Sequence, residues 1–234
     1  MLYTFNQYHL GDNLIHLNYL RKLGVPVTHY CDATHHYQLE PLTRDTQISL
    51  AGIGEVASGA INAWIGEDGY FYNHPKQDDW VAFHLDWFTR LSEKLGVPNP
   101  IATSKDLLFD YPALLDGTYP EYDYLVINSV PLSGQLPSYH PDWFLPHIEF
   151  WVKQGLRVIT TLPTGLCPST VDTGMTVTQI GSLSRYCKNI FGVATGPIWP
   201  TFNIYNLESV QTRTIFCQQE LALTPNTRSL RAFY

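Results

Sequence analysis

The sequence lacks several features that would assign the chain to a common functional class. Lys and Arg number only 14 against 21 acidic residues and form no basic run, so the net charge of −7 argues against nucleic-acid binding. No uninterrupted apolar run reaches the roughly 18 residues of a membrane span. The N-terminus has no basic segment leading into an apolar one. We therefore expect neither a transmembrane segment nor a secretory signal.

Motifs for common cofactors and for paired cysteines are also missing. The four cysteines are far apart and show no C-x-x-C spacing, which favours free thiols in a cytoplasmic protein. Neither a G-x-G-x-x-G fingerprint nor a Walker motif occurs, so a nicotinamide or P-loop site has no support. We expect no bound cofactor.

The most informative segment present is Gly11-Asp12, between an apolar run at residues 2–5 and a leucine-periodic stretch at residues 13–23. A strand, a glycine turn and an acid at a helix start place a carboxylate where ligands bind in open α/β sheets. A similar Thr-Gly-Pro turn at residues 195–197 follows a predicted strand. Two such turns predict an α/β protein with two small Rossmann-like lobes, parallel sheets and an interlobe cleft.

Short strands and helices alternate along the chain, which is typical of a parallel sheet. Predicted helices cover residues 13–23, 55–65, 79–95, 142–154 and 177–187. Gly24 and Gly96 are the predicted stops of the first and third of these, and Asp78 or Asp79 is the predicted cap of the third. Predicted strands cover residues 25–30, 47–53, 124–128, 156–162, 190–194 and 213–217. A linker is indicated by the prolines and glycine at residues 99–120. We predict lobes at residues 1–118 and 119–220, and a tail at residues 221–234 that packs back on the first lobe.

Asp12 has two interpretations. Aspartate is a preferred helix N-cap, and its carboxylate would then accept backbone N–H bonds. It could alternatively act as a general base that takes a proton from a hydroxyl nucleophile. The two compete, because a carboxylate held by several N–H donors has a lowered pKa and is a weaker base.

A binding role is also open for two turns of the second lobe. Thr195 and Gly196 could present backbone N–H groups to phosphate oxygens at a helix start, with Pro197 in its first turn. Ser129 lies in the first strand-to-helix loop of the same lobe. This loop also contains Ser133, Gly134 and Gln135, whose hydroxyl, backbone and amide groups suit a diphosphate. An ordinary turn and an ordinary loop are the alternatives.

A metal site is a further candidate, because Asp32, His35 and His36 lie within five residues. Imidazole and carboxylate groups are suitable zinc ligands, although this spacing fits no standard zinc motif. An Asp32 turn after a strand is the competing interpretation.

The Gly11-Asp12 turn before a leucine-rich helix, together with the late Thr-Gly-Pro turn, resembles the lipopolysaccharide heptosyltransferases, which are GT-B glycosyltransferases. The stretch from Gln179 to Thr195 is similar to the helix and strand that lead into that turn in the family. Three positions depart from the family pattern. Ala194 replaces its aspartate, its following histidine is absent, with Asn203 nearby, and Gln135 stands nearest to its missing lysine.

The resemblance implies an inverting, metal-independent transfer of a sugar from a nucleotide-diphosphate sugar to a carbohydrate or glycolipid acceptor. Asp12 would be the base, and the second-lobe turns would hold the donor diphosphate. Supporting roles would fall to His9, Gly11, Arg185 and Asn203, with Arg185 or Arg213 replacing the missing lysine. Two alternatives stay open: a catalytically inactive sugar-nucleotide-binding or assembly module, and a metal-dependent hydrolase using Asp32, His35 and His36.

Overall fold

The computed structural model describes residues 1–132 and 136–231, with Arg231 described by its backbone only. The chain divides into two compact units, Met1–Leu108 and Phe109–Tyr234. Each unit contains one parallel β-sheet, as the alternation of strands and helices predicts. The interlobe cleft stays a prediction.

The first unit has a four-stranded sheet of the order β3-β2-β1-β4. Its strands are β1 (Leu2–Asn6), β2 (Val27–Cys31), β3 (Ile48–Gly52) and β4 (Ile61–Asn62). All the pairings are parallel. The chain first adds strands on one side of β1 and then places β4 on its other side. The gap between the carboxyl ends of β1 and β4 is therefore a topological switch point, the usual ligand position in open α/β sheets.

The first unit has four helices, and the sequence predicts only the first and the last of them. They are α1 (Leu10–Leu23), α2 (His36–Thr43), α3 (Tyr70–Asn73) and α4 (Trp80–Leu95). Helices α1 and α4 both end at a left-handed glycine, Gly24 at φ 64° and Gly96 at φ 65°. The Asp79 carboxylate caps α4 by accepting the Ala82 N–H.

The second unit has a five-stranded parallel sheet of the order β6-β5-β7-β8-β9. Its strands are β5 (Tyr122–Ile127), β6 (Val158–Thr160), β7 (Cys187–Val193), β8 (Thr212–Cys217) and β9 (Thr227–Arg231). Its helices are α5 (Leu145–Lys153) and α6 (Val177–Leu183). The order reverses between β5 and β7, which makes that gap the switch point of this sheet.

Two sequence predictions need correction. Residues 55–65 are not helical: a 3₁₀ turn, Ile53–Glu55, leads toward β4, and Gly59 between them has a left-handed φ of 82° that interrupts a helix. Part of the tail, Thr227–Arg231, forms β9 and pairs with β8, so this segment belongs to the second sheet. It covers backbone groups that β8 would otherwise leave unpaired.

No helix among the described residues is both long and apolar enough to cross a bilayer.

Candidate active site

Asp12 lies at the switch point of the first sheet. Helix α1 follows β1 directly, and Asp12 is the third residue of that helix. On the other side of the gap, Ala63 and Trp64 follow β4, and the Ala63 N–H donates to the Phe5 carbonyl of β1 at 2.8 Å. The two strands thus bring Asp12 and Trp64 together although they are far apart in sequence.

The structure rules out the N-cap interpretation of Asp12. His9 holds the N-cap position of α1, and no side chain caps that helix end. The half-buried Asp12 side chain instead accepts a hydrogen bond from the Trp64 side chain. Burial raises the pKa of Asp12 to about 6, and the Trp64 hydrogen bond only partly opposes that rise. A carboxylate with this pKa is deprotonated at neutral pH and more basic than an ordinary aspartate.

A small pocket adjoins Asp12 within the first unit and has room for about one water molecule. Most of its wall is apolar, which explains why the charged form of Asp12 is disfavoured there. Two imidazoles, His16 and His84, are the other titratable groups in the wall. The wall consists of Asp12, Ile15, His16, Ala63, Ile65, His84, Trp87 and Phe88.

A buried chain of hydrogen bonds lies behind this pocket. The Asn13 amide donates to the His9 carbonyl at 3.0 Å, and its oxygen contacts His29 Nε2 at 2.8 Å. His29 Nδ1 lies 3.0 Å from the Thr4 hydroxyl, which in turn lies 3.3 Å from His16 Nε2. His16 Nδ1 is buried and has no hydrogen-bond partner among the described residues. Burial lowers the pKa of His29 to about 3 and that of His16 well below its ordinary value, so both rings are neutral at pH 7.

Sequence reasoning proposed a supporting role for His9 but missed Thr4, Asn13 and His16 of this chain. One signal was available: His16 follows Asp12 by four residues, so the two side chains share a face of α1. Thr4, His29 and the pocket residues Trp64 and His84 carry no such local signal, because only the folded chain brings them near Asp12.

The second sheet places Ser129 and Thr195 at its switch point. Ile127 of β5 lies opposite Gly192 of β7. Ser129 and Thr195 follow these two neighbouring strand ends, so both lie at the same edge of the sheet. The Ser129 hydroxyl donates to Thr161 Oγ1 at 2.9 Å, and Thr161 follows the adjacent strand β6. Ser133, Gly134 and Gln135 lie outside the described residues.

The Thr-Gly-Pro turn opens a short 3₁₀ helix, Gly196–Thr201, instead of an α-helix. Thr195 holds its N-cap position with extended backbone, and Pro197 lies in its first turn, where a missing N–H costs nothing. The Thr195 hydroxyl is buried and makes no hydrogen bond within the described part of the chain. A buried hydroxyl without a partner is uncommon in native proteins.

The proposed supporting residues of the second unit are occupied with structural contacts. Arg185 donates to the Leu115 carbonyl at 3.0 Å and to the Gly117 carbonyl at 3.5 Å. Asn203 is fully buried and donates to the Pro200 carbonyl at 2.7 Å. Arg213 is also fully buried, and burial lowers its pKa to about 10. The guanidinium groups of Arg185 and Arg213 are thus both engaged by groups of the protein itself.

The supporting residues of the first unit contribute backbone rather than side-chain groups. His9 supplies the carbonyl that Asn13 binds, through both its backbone N–H and its amide. Gly11 is the second residue of α1. Burial lowers the pKa of the His9 imidazole.

Asp32, His35 and His36 do not form a metal centre. The described residues include no group of three or more His, Cys, Asp or Glu side chains arranged to hold a metal ion. The Asp32 carboxylate instead accepts the Thr34 N–H at 2.8 Å and the Thr34 hydroxyl at 2.7 Å, which caps a 3₁₀ turn, Ala33–His35. His36 Nε2 lies 3.3 Å from the Ala51 carbonyl. The metal-hydrolase alternative therefore loses its structural basis.

No family model matches the sequence, and no curated protein matches it. Solved structures of heptosyltransferases match most of the chain. The E. coli ADP-heptose LPS heptosyltransferase II has a TM-score of 0.59 and 11% identity, over 100% of this chain and 91% of that one. E. coli heptosyltransferase WaaC with ADP has a TM-score of 0.57 and 11% identity, over 99% of this chain and 90% of that one.

A third match is the iron-containing dodecameric glycosyltransferase TibC from enterotoxigenic E. coli, with a TM-score of 0.55 and 14% identity. The match covers 92% of this chain, which spans only 57% of that protein's length. Likenesses at such low identity concern the fold. The chain has the α/β GT-B fold of these glycosyltransferases, with a parallel, Rossmann-like sheet in each unit.

Proposed function

We propose that this chain is a glycosyltransferase that moves a sugar from a nucleotide-diphosphate sugar to an acceptor hydroxyl, with inversion at the anomeric carbon. One observation carries the proposal: the β1/β4 switch point holds Asp12, and the β5/β7 switch point holds Thr195. These are the expected ligand positions of the two sheets. Solved relatives include a complex with ADP and one with ADP-heptose, which supports this donor class.

Asp12 is the general base in this proposal. Burial raises the pKa of Asp12 to about 6, which makes the carboxylate more basic than usual. It is still deprotonated at neutral pH, so it can accept a proton from the acceptor hydroxyl. The acceptor oxygen forms its bond to the anomeric carbon as the bond from that carbon to the diphosphate oxygen breaks. The electron pair of the broken bond leaves with the nucleotide diphosphate.

The leaving diphosphate is held by the edge of the second sheet. The Thr195 and Ser129 hydroxyls and the backbone N–H of Gly196 are neutral donors that stabilise developing negative charge. Arg185 and Arg213 are engaged with other groups, so we assign neither of them to the diphosphate. A carbohydrate or glycolipid is the proposed acceptor class, and the proposed step uses no metal ion.

The first test is Asp12→Asn, which keeps the shape of the side chain and removes its basicity. We expect transfer from ADP-heptose, or from whichever nucleotide sugar proves active, to fall by about 10²–10⁴-fold, while nucleotide affinity is unchanged. Product formation and calorimetric binding measure the two quantities. Asp32→Asn is the matched control and should retain full transfer. Activity should also persist in a chelator, and its loss there would contradict the metal-free step.

The second test concerns the donor. Thr195→Val removes a hydroxyl that has no partner among the described residues, so the free energy of unfolding should stay constant or rise. Affinity for the preferred nucleoside diphosphate should fall about 5–10-fold, as expected for one lost hydrogen bond. A thermal-shift panel of nucleoside diphosphates identifies the ligand.

Thr201→Val is the control for that variant. The Thr201 hydroxyl donates to the Ile198 carbonyl within the same 3₁₀ helix, so this change should lower stability and leave affinity nearly unchanged. Equal affinity of the wild type and Thr195→Val for the nucleoside diphosphate would show that the Thr195 hydroxyl does not bind the donor. Nucleotide binding without transfer by the wild type would favour the inactive binding module instead.

A further inference from the structure

Two aromatic side chains meet at the switch point of the first sheet, on matching turns. Strands β1 and β4 end at Asn6 and Asn62. The side-chain oxygen of each asparagine accepts the backbone N–H of the residue two positions further on, which is Tyr8 or Trp64, at 3.0 Å. Because β1 and β4 pair in parallel, the two turns lie side by side. The two rings contact each other, with centroids 4.1 Å apart and planes tilted by 37°.

The buried Gly66 is the second group that limits where the Trp64 ring can lie. Its φ of −87° is open to any residue, so the backbone does not require glycine here. Space requires it, since a β-carbon at this position would lie 2.8 Å from Trp64 Cε2 and closer still to Cζ2 and Cη2. The indole is therefore packed against the Tyr8 ring and the Gly66 backbone at once.

The indole held in this way is hydrogen-bonded to Asp12. The bond comes from the Trp64 side chain, whose only donor is the Nε1–H. Among the described residues, burial and this bond are the two causes that move the pKa of Asp12, and no charged group contributes. The two causes oppose each other, because burial disfavours the ionised carboxyl and the hydrogen bond favours it. Their balance leaves the pKa at about 6, and burial alone would place it higher.

The titratable groups around Asp12 supply no charge that could replace the indole. His16 of the same helix and His84 of α4 line the pocket with Asp12, and His9 holds the N-cap position of α1. Burial lowers the pKa of all three imidazoles, so they are predominantly neutral at pH 7. The segment after β4 contributes only apolar residues to the pocket wall.

We propose that Trp64 is a positioning residue for the proposed reaction: the Tyr8 ring and the Gly66 backbone hold its indole in place, and the indole N–H keeps the buried Asp12 carboxyl ionised. The inference rests on the proposed function in one respect, namely that Asp12 takes the proton of the acceptor hydroxyl. Without this hydrogen bond, a larger share of Asp12 is protonated at neutral pH. A protonated carboxyl cannot act as the base.

The first test replaces Trp64 by phenylalanine, which keeps an aromatic ring beside Tyr8 and removes the N–H. The pKa of Asp12 should rise by about one unit from its starting value. A merely structural role predicts the opposite sign, because the smaller ring lets water approach the carboxyl and lowers its pKa. Carboxyl ¹³C NMR measures this pKa, and the missing signal in Asp12→Asn assigns the resonance.

A second measurement uses the unaltered protein, so it does not depend on how a Trp64 variant folds. The indole ¹H–¹⁵N resonance of Trp64 should shift with pH at the same midpoint as the Asp12 carboxyl. In Asp12→Asn this midpoint should disappear from the indole titration. An indole that does not respond to the ionisation of Asp12 would overturn the inference.

Gly66→Ala tests the packing and leaves the indole N–H in the protein. The added methyl group displaces the ring, so the pKa of Asp12 should rise as it does in Trp64→Phe. Gly52→Ala is the matched control, because a β-carbon at Gly52 meets nothing within 4 Å and the φ of −70° suits alanine. It should leave the Asp12 pKa constant. A constant pKa in Gly66→Ala as well would show that Gly66 does not position the indole.

The outcomes separate this inference from the proposed function, because neither NMR titration needs a substrate. A constant or lower Asp12 pKa in Trp64→Phe would overturn the inference even if transfer is found. A raised pKa would support the inference even if no donor is turned over. In an active enzyme, the acid limb of kcat/KM against pH should move up with the Asp12 pKa in Trp64→Phe.

Discussion

Asp12 and Asp32 show how strongly surroundings alter one type of side chain. Both aspartates follow a strand and lie near the start of a helical segment. Burial beside apolar side chains raises the pKa of Asp12, whereas hydrogen bonds from the Thr34 backbone and hydroxyl lower the pKa of the exposed Asp32. Only the first aspartate is suited to be a base at neutral pH.

Arg213 is a buried charge without a carboxylate partner among the described residues. Its two terminal nitrogens donate to the side-chain oxygens of Asn226 and Asn206, each at 2.7 Å. A lysine has a single terminal nitrogen instead of the two that bind these oxygens, so we expect it to lose one of the two hydrogen bonds. We expect Arg213→Lys to lower the free energy of unfolding by about 2 kcal/mol, the value of one hydrogen bond to a charged group. Urea denaturation measures the change.

The control for Arg213 is Arg44, an exposed residue that pairs with Glu40 at 2.9 Å across one helical turn. Arg44→Lys should change stability by less than about 0.5 kcal/mol. Equal effects of the two substitutions would show that the two hydrogen bonds of the buried Arg213 guanidinium contribute no more to stability than a surface ion pair.

Helix α4 has both ends specified locally, and the structure selects between two neighbouring candidates for its cap. Asp78 and Asp79 both precede the apolar periodic stretch, and only Asp79 accepts an N–H bond at the helix start. Asp79→Ala should lower the free energy of unfolding by about 1 kcal/mol. Asp78→Ala should change it by less than about 0.5 kcal/mol. Urea denaturation of both variants measures the difference, and a larger loss for Asp78→Ala would contradict the assigned cap.

Strand β4 contrasts with α4, because it has only two residues, Ile61 and Asn62. Such a short segment has no detectable periodicity, and its strand geometry exists through pairing with Thr4 and Phe5 of β1. It nevertheless creates the switch point beside Asp12. The strand that creates this switch point is thus the least predictable strand of the first sheet.

The buried histidines of the described chain all lie in the first unit: His16, His29 and His84. Burial depresses the folded-state pKa of each below the value of 6.5 for an exposed histidine. The unfolded chain therefore binds more protons below about pH 6.5, and each histidine removes about 1.4 kcal/mol of stability per pH unit as pH falls. The loss for His29 and His84 continues down to about pH 3.

Asp12 acts in the opposite direction. Its folded pKa of about 6 exceeds its ordinary value of 3.8, so its proton stabilises the fold as pH falls from about 6 to 3.8. This cancels one of the two histidines whose pKa is about 3, so the first unit should lose at least about 1.4 kcal/mol per pH unit between pH 6 and 4, and His16 adds to that loss. Hydrogen exchange measured peptide by peptide at falling pH should show that residues 1–108 lose amide protection before the rest of the chain. His84→Phe should reduce the slope by about 1.4 kcal/mol per pH unit, and an unchanged slope would contradict the assignment.

Local sequence was sufficient for most of the alternating strands and helices, for the glycine ends of α1 and α4, and for the position of Asp12 after the first strand. Each of these depends on residues that are neighbours along the chain, such as the leucines of α1 followed by Gly24. The resemblance to the heptosyltransferases also comes from short local motifs, and the solved structures confirm the fold that it implies.

Tertiary structure alone decided the chemistry of the pocket and the edges of both sheets. Trp64 and His84 reach Asp12 only because β4 pairs with β1 and α4 contributes to the same pocket wall. The raised pKa of Asp12 follows from that burial, and burial is a property of the folded chain. For the same reason β9 could not be predicted, since its backbone hydrogen bonds depend on the open edge of β8.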